Sequence, residues 1–377
     1  MRICIVTRKI SLSWGGVERV AATVAGRLAK MGHTVQVLTS YSDCSIEGVT
    51  IKLLRPSGLI SPLKILSFNS LVNKELEEEK FEIVYGLCRV TPPDIYRLSD
   101  GIQKYWMEIR YPDRLIRFLK YCTSLVHWTN RLIEEKILLD SSKFLVTNSR
   151  FIKEKIMEHY PVPPERIGVI YNGVDHAVFN PGVSAYRKEM RGKYGISDDA
   201  FVLLFTANDW ERKGLSTVIR AVGKAGINGL RLMVVGRGKK ERYLSLARNL
   251  NISQETMIFE EHSGNIEKYY GMADAFVLPT RYDPFANVCL EAMACGLPCI
   301  STRTNGSSEL IEHGVNGFIL KDWDDEDRLA DQIRQLSAQD LRDRMSSSAS
   351  ETATSYTWER HVEQTLALFK QVAEGKR

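Results

Sequence analysis

At 377 residues, 44% hydrophobic and 26% charged, the chain has room for two or three soluble globular domains, each burying its own core. Seven scattered cysteines without a C-x-x-C pair or zinc-like spacing exclude a disulfide framework and imply reduced thiols in a cytosolic protein, while the short N-terminal apolar run and the lack of any apolar stretch of about 18 residues argue against a secreted or membrane-spanning chain. The net charge of +5 is uneven: 25 basic against 18 acidic residues through Ile167, then 26 against 28, which implies different partners for the two halves or simply an uneven solvated surface.

In chain order, short β-branched runs alternate with helical patterns, the sign of parallel sheets covered by helices. "RICIVTR" predicts the first strand, "GGVERVAATVAGRLAKMG" a loop and amphipathic helix ending at Gly32, and "TVQVLTS" the second strand; "EIVYGL" and "KFLVTNS" follow. Pro, Gly and Asn then cluster in "YPVPPERIGVIYNGVDHAVFNPG", and the alternation restarts with "VLLFTA", "RLMVVG", "MIFEE", "AFVLPT" and "PCIST". The expected fold class is α/β: two doubly wound domains, residues 1–167 and 168–355, with a C-terminal helix over 356–377 packing back on the first. Ligands of such sheets sit beyond the carboxyl ends of the strands.

Several strand ends carry candidate chemistry. Gly15 and Gly16 lie between the first strand and its helix, where backbone N–H groups either face an anion or simply make a tight turn. Gly236 and Gly238 resemble half of a dinucleotide fingerprint, but Glu241 stands where its third glycine belongs, so a plain strand-to-helix turn is the better reading. Arg212 and Lys213 follow a strand and precede a helix, a place from which they could neutralise a diphosphate or be merely solvated. "KDWDDEDRLADQI" holds D-x-D twice, at Asp322/Asp324 and Asp325/Asp327; the acids precede a helix, and capping is favoured over metal binding. In "RYDPFANVCLEAMACGLP" two acids, Asp283 and Glu291, stand at the start of a helix. Eight residues of helix advance roughly 12 Å, so the pair suits two ends of one elongated ligand better than two sides of one bond.

Taken together, G-G-x-E-R after the first strand, N-G-V-D at the connector, R-K-G in the second half and acid-x7-Glu followed by "AMACGLP" resemble glycosyltransferase family 4, retaining enzymes of the GT-B fold. The likeness spans essentially the whole chain. "RYDPFANVCLEAMACGLP", "NGSSELIEHGVNG" and "DIYRLSDGIQ" are most similar to the lipopolysaccharide core glucosyltransferase I group. The resemblance implies two Rossmann-like domains facing each other across a cleft, the first on the acceptor side and the second holding a nucleotide-diphosphate sugar. It implies that Glu291 accepts from the ribose hydroxyls and that Asp283 stands beside the donor sugar. Backbone N–H groups of Phe285, Ala286 and Asn287 would meet the phosphates, with Arg212 and Lys213 opposite and Gly15 and Gly16 closing from the first domain. Two departures stand out: the first acid is Asp instead of the usual Glu, and Ala286 replaces a frequent glycine. Asp100 takes the place where many members carry a histidine facing the sugar.

With no second carboxylate placed as a nucleophile, such a reaction would depend on stabilising the departing diphosphate. The acceptor hydroxyl would attack from the leaving group's own face. No metal or other cofactor is expected, and the donor, a UDP-sugar, is a substrate. The implied acceptor is a lipopolysaccharide-core or other lipid-linked glycan, with no nucleic-acid partner. A non-hydrolysing nucleotide-sugar epimerase of the same architecture, a mannosyltransferase using a GDP-sugar, and a binding protein without catalysis are the alternatives. Residues 104–131, "KYWMEIRYPDRLIRFLKYCTSLVHWTNR", interleave Lys104, Arg110, Arg114, Arg117, Lys120 and Arg131 with aromatic residues. That pattern predicts a peripheral contact with an anionic membrane surface, or else an ordinary amphipathic helix whose aromatic residues pack on the first domain.

Overall fold

The computed structural model describes every residue except 13–15, 92, 262–263 and 377. The chain divides into two compact units, Met1–Gly173 with Trp358–Arg377, and Val174–Thr357. The division falls at Gly173 and not at Ile167.

The first unit is built on a seven-stranded parallel sheet: β1 (Arg2–Val6), β2 (Thr34–Thr39), β3 (Val49–Leu53), β4 (Ile83–Gly86), β5 (Ile95–Leu98), β6 (Phe144–Thr147) and β7 (Ile167–Val169), in spatial order β3-β2-β1-β4-β5-β6-β7. Its helices are α1 (Gly16–Lys30), α2 (Ser61–Glu78), α3 (Gln103–Arg110), α4 (Arg114–Thr123), α5 (Leu125–Leu139) and α6 (Arg150–His159). A parallel sheet covered on both faces needs strands that are apolar at successive positions. β1 supplies them: Ile3 and Ile5 pack with Val24 and Leu28 of α1, while Cys4 and Val6 point the other way, towards Phe68 and Val72 of α2. The C-terminal helix Trp358–Gly375 completes the first face, burying Val362, Leu366 and Phe369 in the same cluster as Ile3 and Ile5. Phe369 meets the ring of Tyr85 edge-on, with centroids 5.1 Å apart.

The second unit repeats the scheme with β8 (Val202–Thr206), β9 (Arg231–Val235), β10 (Met257–Glu260), β11 (Ala275–Leu278), β12 (Cys299–Thr302) and β13 (Gly317–Leu320). Their order is β10-β9-β8-β11-β12-β13, the first unit's order without its last strand. The helices are α7 (Arg187–Lys193), α8 (Leu215–Ala225), α9 (Lys240–Asn249), α10 (Ile266–Met272), α11 (Asn287–Ala294), α12 (Glu326–Ser337) and α13 (Gln339–Thr354). Buried Asp274 ties α7 to the sheet: it accepts from Arg187 and Arg191 at 2.7 Å each and from the Val202 N–H at 2.7 Å. In each sheet the strand order reverses beside the first strand of the unit, between β1 and β4 and between β8 and β11. Crevices at such points are where open α/β sheets bind ligands.

Candidate functional site

In the second unit the reversal point gathers residues from two neighbouring strands. The loop after β8 carries Arg212 and Lys213; the loop after β11 carries Asp283. The first loop can approach the second because Gly214 adopts φ +82° there, and a Cβ at that position would lie 2.2 Å from the Pro279 carbonyl oxygen. Buried Lys213 donates to Asp283 Oδ2 in a short ion pair. Arg212 reaches the same oxygen at 3.5 Å, donates to the Tyr282 carbonyl at 2.7 Å, and pairs through Nε with Asp209 at 3.0 Å. Burial pushes the Asp283 carboxyl up, but Lys213 and Arg212 outweigh it and hold the group below its ordinary value. It is therefore an anion at neutral pH.

Two amides at the helix start have acceptors within the second unit. The Phe285 N–H donates to Asp283 Oδ1 at 3.0 Å and the Ala286 N–H to Asn305 Oδ1 at 3.2 Å. Two of the three N–H groups that the resemblance assigned to phosphates thus have internal acceptors. The reason is local: the loop must satisfy its buried amides itself, and two side-chain oxygens do so. Asn287 opens α11. Asn305, fully buried, also accepts from the Ser307 N–H at 3.2 Å and donates to Ser301 Oγ at 2.9 Å. It was not singled out in the sequence, although "NGSSEL" contains it; a polar residue in a loop gives no sign that it will be buried.

Glu291, on the second turn of α11, is also buried, and Tyr270 of α10 donates to its Oε2 at 3.1 Å. Burial first, then the Glu291 charge, pushes the Tyr270 hydroxyl well above its ordinary value, so it remains a donor. The two acids are separate: Asp283 sits among cations, Glu291 beside a phenol. The glycines of "VVGRGKK" have packing reasons of their own. A Cβ at Gly236 would stand 1.9 Å from the Ala207 carbonyl oxygen, and one at Gly238 would stand 2.3 Å from the Trp210 ring. Asp325 caps α12 by accepting from the Arg328 N–H at 2.9 Å, and Asp327 pairs with Lys224 at 2.7 Å. Among the described residues no group of three or more His, Cys, Asp and Glu could hold a metal ion.

In the first unit, Gly16 is the exposed first residue of α1, after β1, and Gly15 lies outside the described residues. Asp100 is exposed in the turn after β5, followed by Gly101 at φ +71°. Residues 104–131 do not form one amphipathic helix. They span α3, α4 and the start of α5, with Asp113 capping α4 and Ser124 capping α5. α4 buries none of its residues. Leu115, Ile116, Phe118 and Leu119 on it, and Leu125, Val126 and Trp128 on α5, stand exposed. Two aromatic residues of the stretch pack on other rings instead: Tyr105 against Phe151 and His159, and Tyr111 against His127. Among the described residues no helix is long and apolar enough to cross a membrane.

Comparison with known proteins agrees with the motifs. The family described as "Glycosyl transferases group 1" matches residues 186–352, and "Glycosyltransferase Family 4" matches residues 105–178. A putative glycosyltransferase of Bacillus subtilis is 30% identical over 301 residues, 75% of this chain and 70% of that protein. An uncharacterized glycosyltransferase of Methanocaldococcus jannaschii is 26% identical over 375 residues, 94% of each chain. Among solved structures, WaaG, a glycosyltransferase involved in lipopolysaccharide biosynthesis, superposes with a TM-score of 0.84 at 20% identity, over 97% of this chain and 99% of that one. Anabaena HepE in complex with UDP-glucose superposes with a TM-score of 0.77 at 17% identity, over 98% of this chain and 100% of that one. From the motifs, the paired reversing sheets and these likenesses together, the chain belongs to glycosyltransferase family 4, enzymes of the GT-B fold.

Proposed function

We propose that this protein is a retaining hexosyltransferase that moves glucose from UDP-glucose to a lipopolysaccharide-core or other lipid-linked glycan, without a metal ion. The observation that carries the reading is the Arg212–Lys213–Asp283 constellation at the reversal point of the second sheet. A donor diphosphate competes there for Lys213 and Arg212, one a compact point charge and the other a fork. Asp283 Oδ2, released from its ion pair, then accepts from a hydroxyl of the donor sugar. Because both cations are already held by the fold, they stabilise the departing diphosphate with little reorganisation. Glu291, on the second turn of α11, takes the ribose hydroxyls. In the first unit Asp100, where many members of the family carry a histidine facing the sugar, is assigned that histidine's role. The acceptor oxygen approaches from the leaving group's face, and a phosphate oxygen takes its proton.

Three considerations support the choice of substrates. The sequence motifs are most similar to the core glucosyltransferase group, WaaG shares the fold, and HepE shares it with UDP-glucose bound. The exposed apolar residues of α4, with Arg114 and Lys120 beside them, suit peripheral contact with an anionic membrane that presents a lipid-linked acceptor. The test is a donor screen that measures which nucleotide is released from UDP-glucose, UDP-galactose and GDP-mannose, with and without a lipid-core acceptor and with EDTA. UDP release from UDP-glucose, stimulated by the acceptor and unaffected by EDTA, is expected. Acceptor-independent conversion of the sugar on its nucleotide would mark an epimerase instead. Loss of activity on chelation, restored by magnesium or manganese, would reject the metal-free route.

A further inference from the structure

The turn that carries Asp100 is held by buried polar groups that no catalytic role accounts for. Glu134 of α5 is 1% exposed, and its carboxylate accepts from the Gln103 N–H with both oxygens, at 2.8 and 2.7 Å. The same carboxylate accepts from the Tyr160 hydroxyl at 2.9 Å and from Arg89 Nη2 at 3.2 Å. Arg89, in the loop after β4, also donates to the Gly101 carbonyl at 3.5 Å. From the other side, Asn148 Nδ2 donates to the Ser99 carbonyl at 3.4 Å, and buried Arg97 donates through Nε to Ser99 Oγ at 3.1 Å. The exposed aspartate is thus flanked by three backbone groups, of Ser99, Gly101 and Gln103, each taken by a side chain from a different element.

Burying an ionised carboxylate is costly unless it is paired and fully hydrogen-bonded. Glu134 meets that condition by spending both oxygens on the turn and its neighbours. A surface turn with no task has no need of such support, because loops are commonly left mobile. Where a carboxylate must meet a ligand within a fraction of an ångström, support of this kind fixes its position. We infer that Glu134 and Arg89 are positioning residues: a clamp of one buried carboxylate and one half-buried guanidinium that sets the Asp100 turn for catalysis. The inference rests on the reading of Asp100 given above. Arg89 meets Glu134 Oε2 with two nitrogens, Nε at 3.4 Å and Nη2 at 3.2 Å, and Nη2 also reaches Gly101; a lysine in its place keeps the charge but loses this planar two-nitrogen contact.

The experiment is a double-mutant cycle on UDP release from UDP-glucose in the presence of the acceptor, with Asp100→Ala, Glu134→Gln, Arg89→Lys and the pairwise combinations. Glu134→Gln presents an amide donor to groups that are themselves donors. It is expected to lower kcat on the order of 10²-fold while the donor KM stays within about twofold, the size of loss that a displaced group produces. In the Asp100→Ala background the same change is expected to lower kcat by less than about twofold, because groups that act as one unit do not multiply. If Glu134→Gln does not fold, as melting will tell, Arg89→Lys takes its place in the cycle with the same expectations. Losses that multiply independently of Asp100 would overturn the clamp, as would full activity of both clamp variants while Asp100→Ala is impaired. Full activity of Asp100→Ala would overturn the role of Asp100 and the clamp with it.

Discussion

The two sheets share a strand order, yet they hold their strand-end carboxylates in opposite ways. In the second unit Asp283 is buried, and Lys213 and Arg212 lie against it in the same corner. In the first unit Asp100 is exposed, and the charges that brace its turn, Glu134 and Arg89, sit behind the backbone. The contrast extends to the helices. α11 buries six of its eight residues, from Cys289 to Ala294, whereas α4 buries none. One topology therefore provides a buried, charge-paired carboxylate in one unit and an exposed carboxylate and an uncovered apolar helix in the other. Strand order decides where the edge is; the connecting loops decide what is presented there.

The largest effect expected from breaking this contrast is at Arg212. Arg212→Ala should lower kcat by roughly 10²–10³-fold, the usual loss on removing one donor to a developing anion. Steady-state nucleotide release decides, and near-normal turnover would take Arg212 out of the mechanism. The comparison sharpens when stability is read beside activity. Lys213→Met leaves buried Asp283 short of its nearest cation, and removing one member of a buried pair costs about 3 kcal/mol. A clear fall in the urea midpoint is therefore expected. Asp100→Ala, at an exposed turn position, should leave that midpoint nearly unchanged while lowering turnover.

The two acids of the second unit separate next. Glu291→Gln should weaken binding of free UDP by about tenfold in calorimetry, a loss of about 1.4 kcal/mol. Asp283→Asn should leave UDP binding nearly intact and impair turnover of the whole donor. Equal effects on bare UDP would collapse the distinction. The pH dependence follows from the same corner. The folded value for Asp283 lies below the ordinary 3.8, so its ion pair stabilises the fold fully above that value. As pH falls through the depressed folded value, that stabilisation is lost. The Asp283→Asn variant should accordingly show a smaller loss of stability in acid than the parent chain.

The smallest effect belongs to α4. Changing Arg114, Arg117 and Lys120 to Glu should abolish binding to vesicles containing anionic lipid, each basic residue contributing on the order of 1 kcal/mol near the surface. Rising salt should release the unmodified protein, and UDP release in solution should be unchanged. A parent protein that ignores anionic vesicles at low salt would leave α4 without this role.

Most of the architecture was legible because buried parallel strands are continuous apolar runs, and runs such as "RICIVTR" and "VLLFTA" carry that signal unaided. The strands missed were those without it. β3 is an edge strand with exposed Leu53, β7 has three residues, and β13 has only four, the first of them a glycine. β5 contains Arg97, fully buried and held by the Asn172 side chain at 2.6 Å and the Ile170 carbonyl at 3.3 Å. An arginine inside a strand looks exposed until its partners, more than seventy residues away, are known. The same limit applied to the helix start at Phe285, whose amide reads as open in sequence and is spent on Asp283 in the fold.

The amino-acid sequence by itself determined the two doubly wound halves, the family, and the residue types placed at the strand ends. Those follow from local periodicity and from motifs that lie within a few residues of one another. Only the tertiary structure decided that Lys213 pairs with Asp283 and that Glu134 and Arg89 stand behind Asp100. It also decided that α4 leaves its apolar residues uncovered. Each of these depends on which strands become neighbours and on what a helix finds to pack against. Parallel pairing joins strands separated by whole crossovers, so the partners of a charge are set by distance in space and not by spacing along the chain.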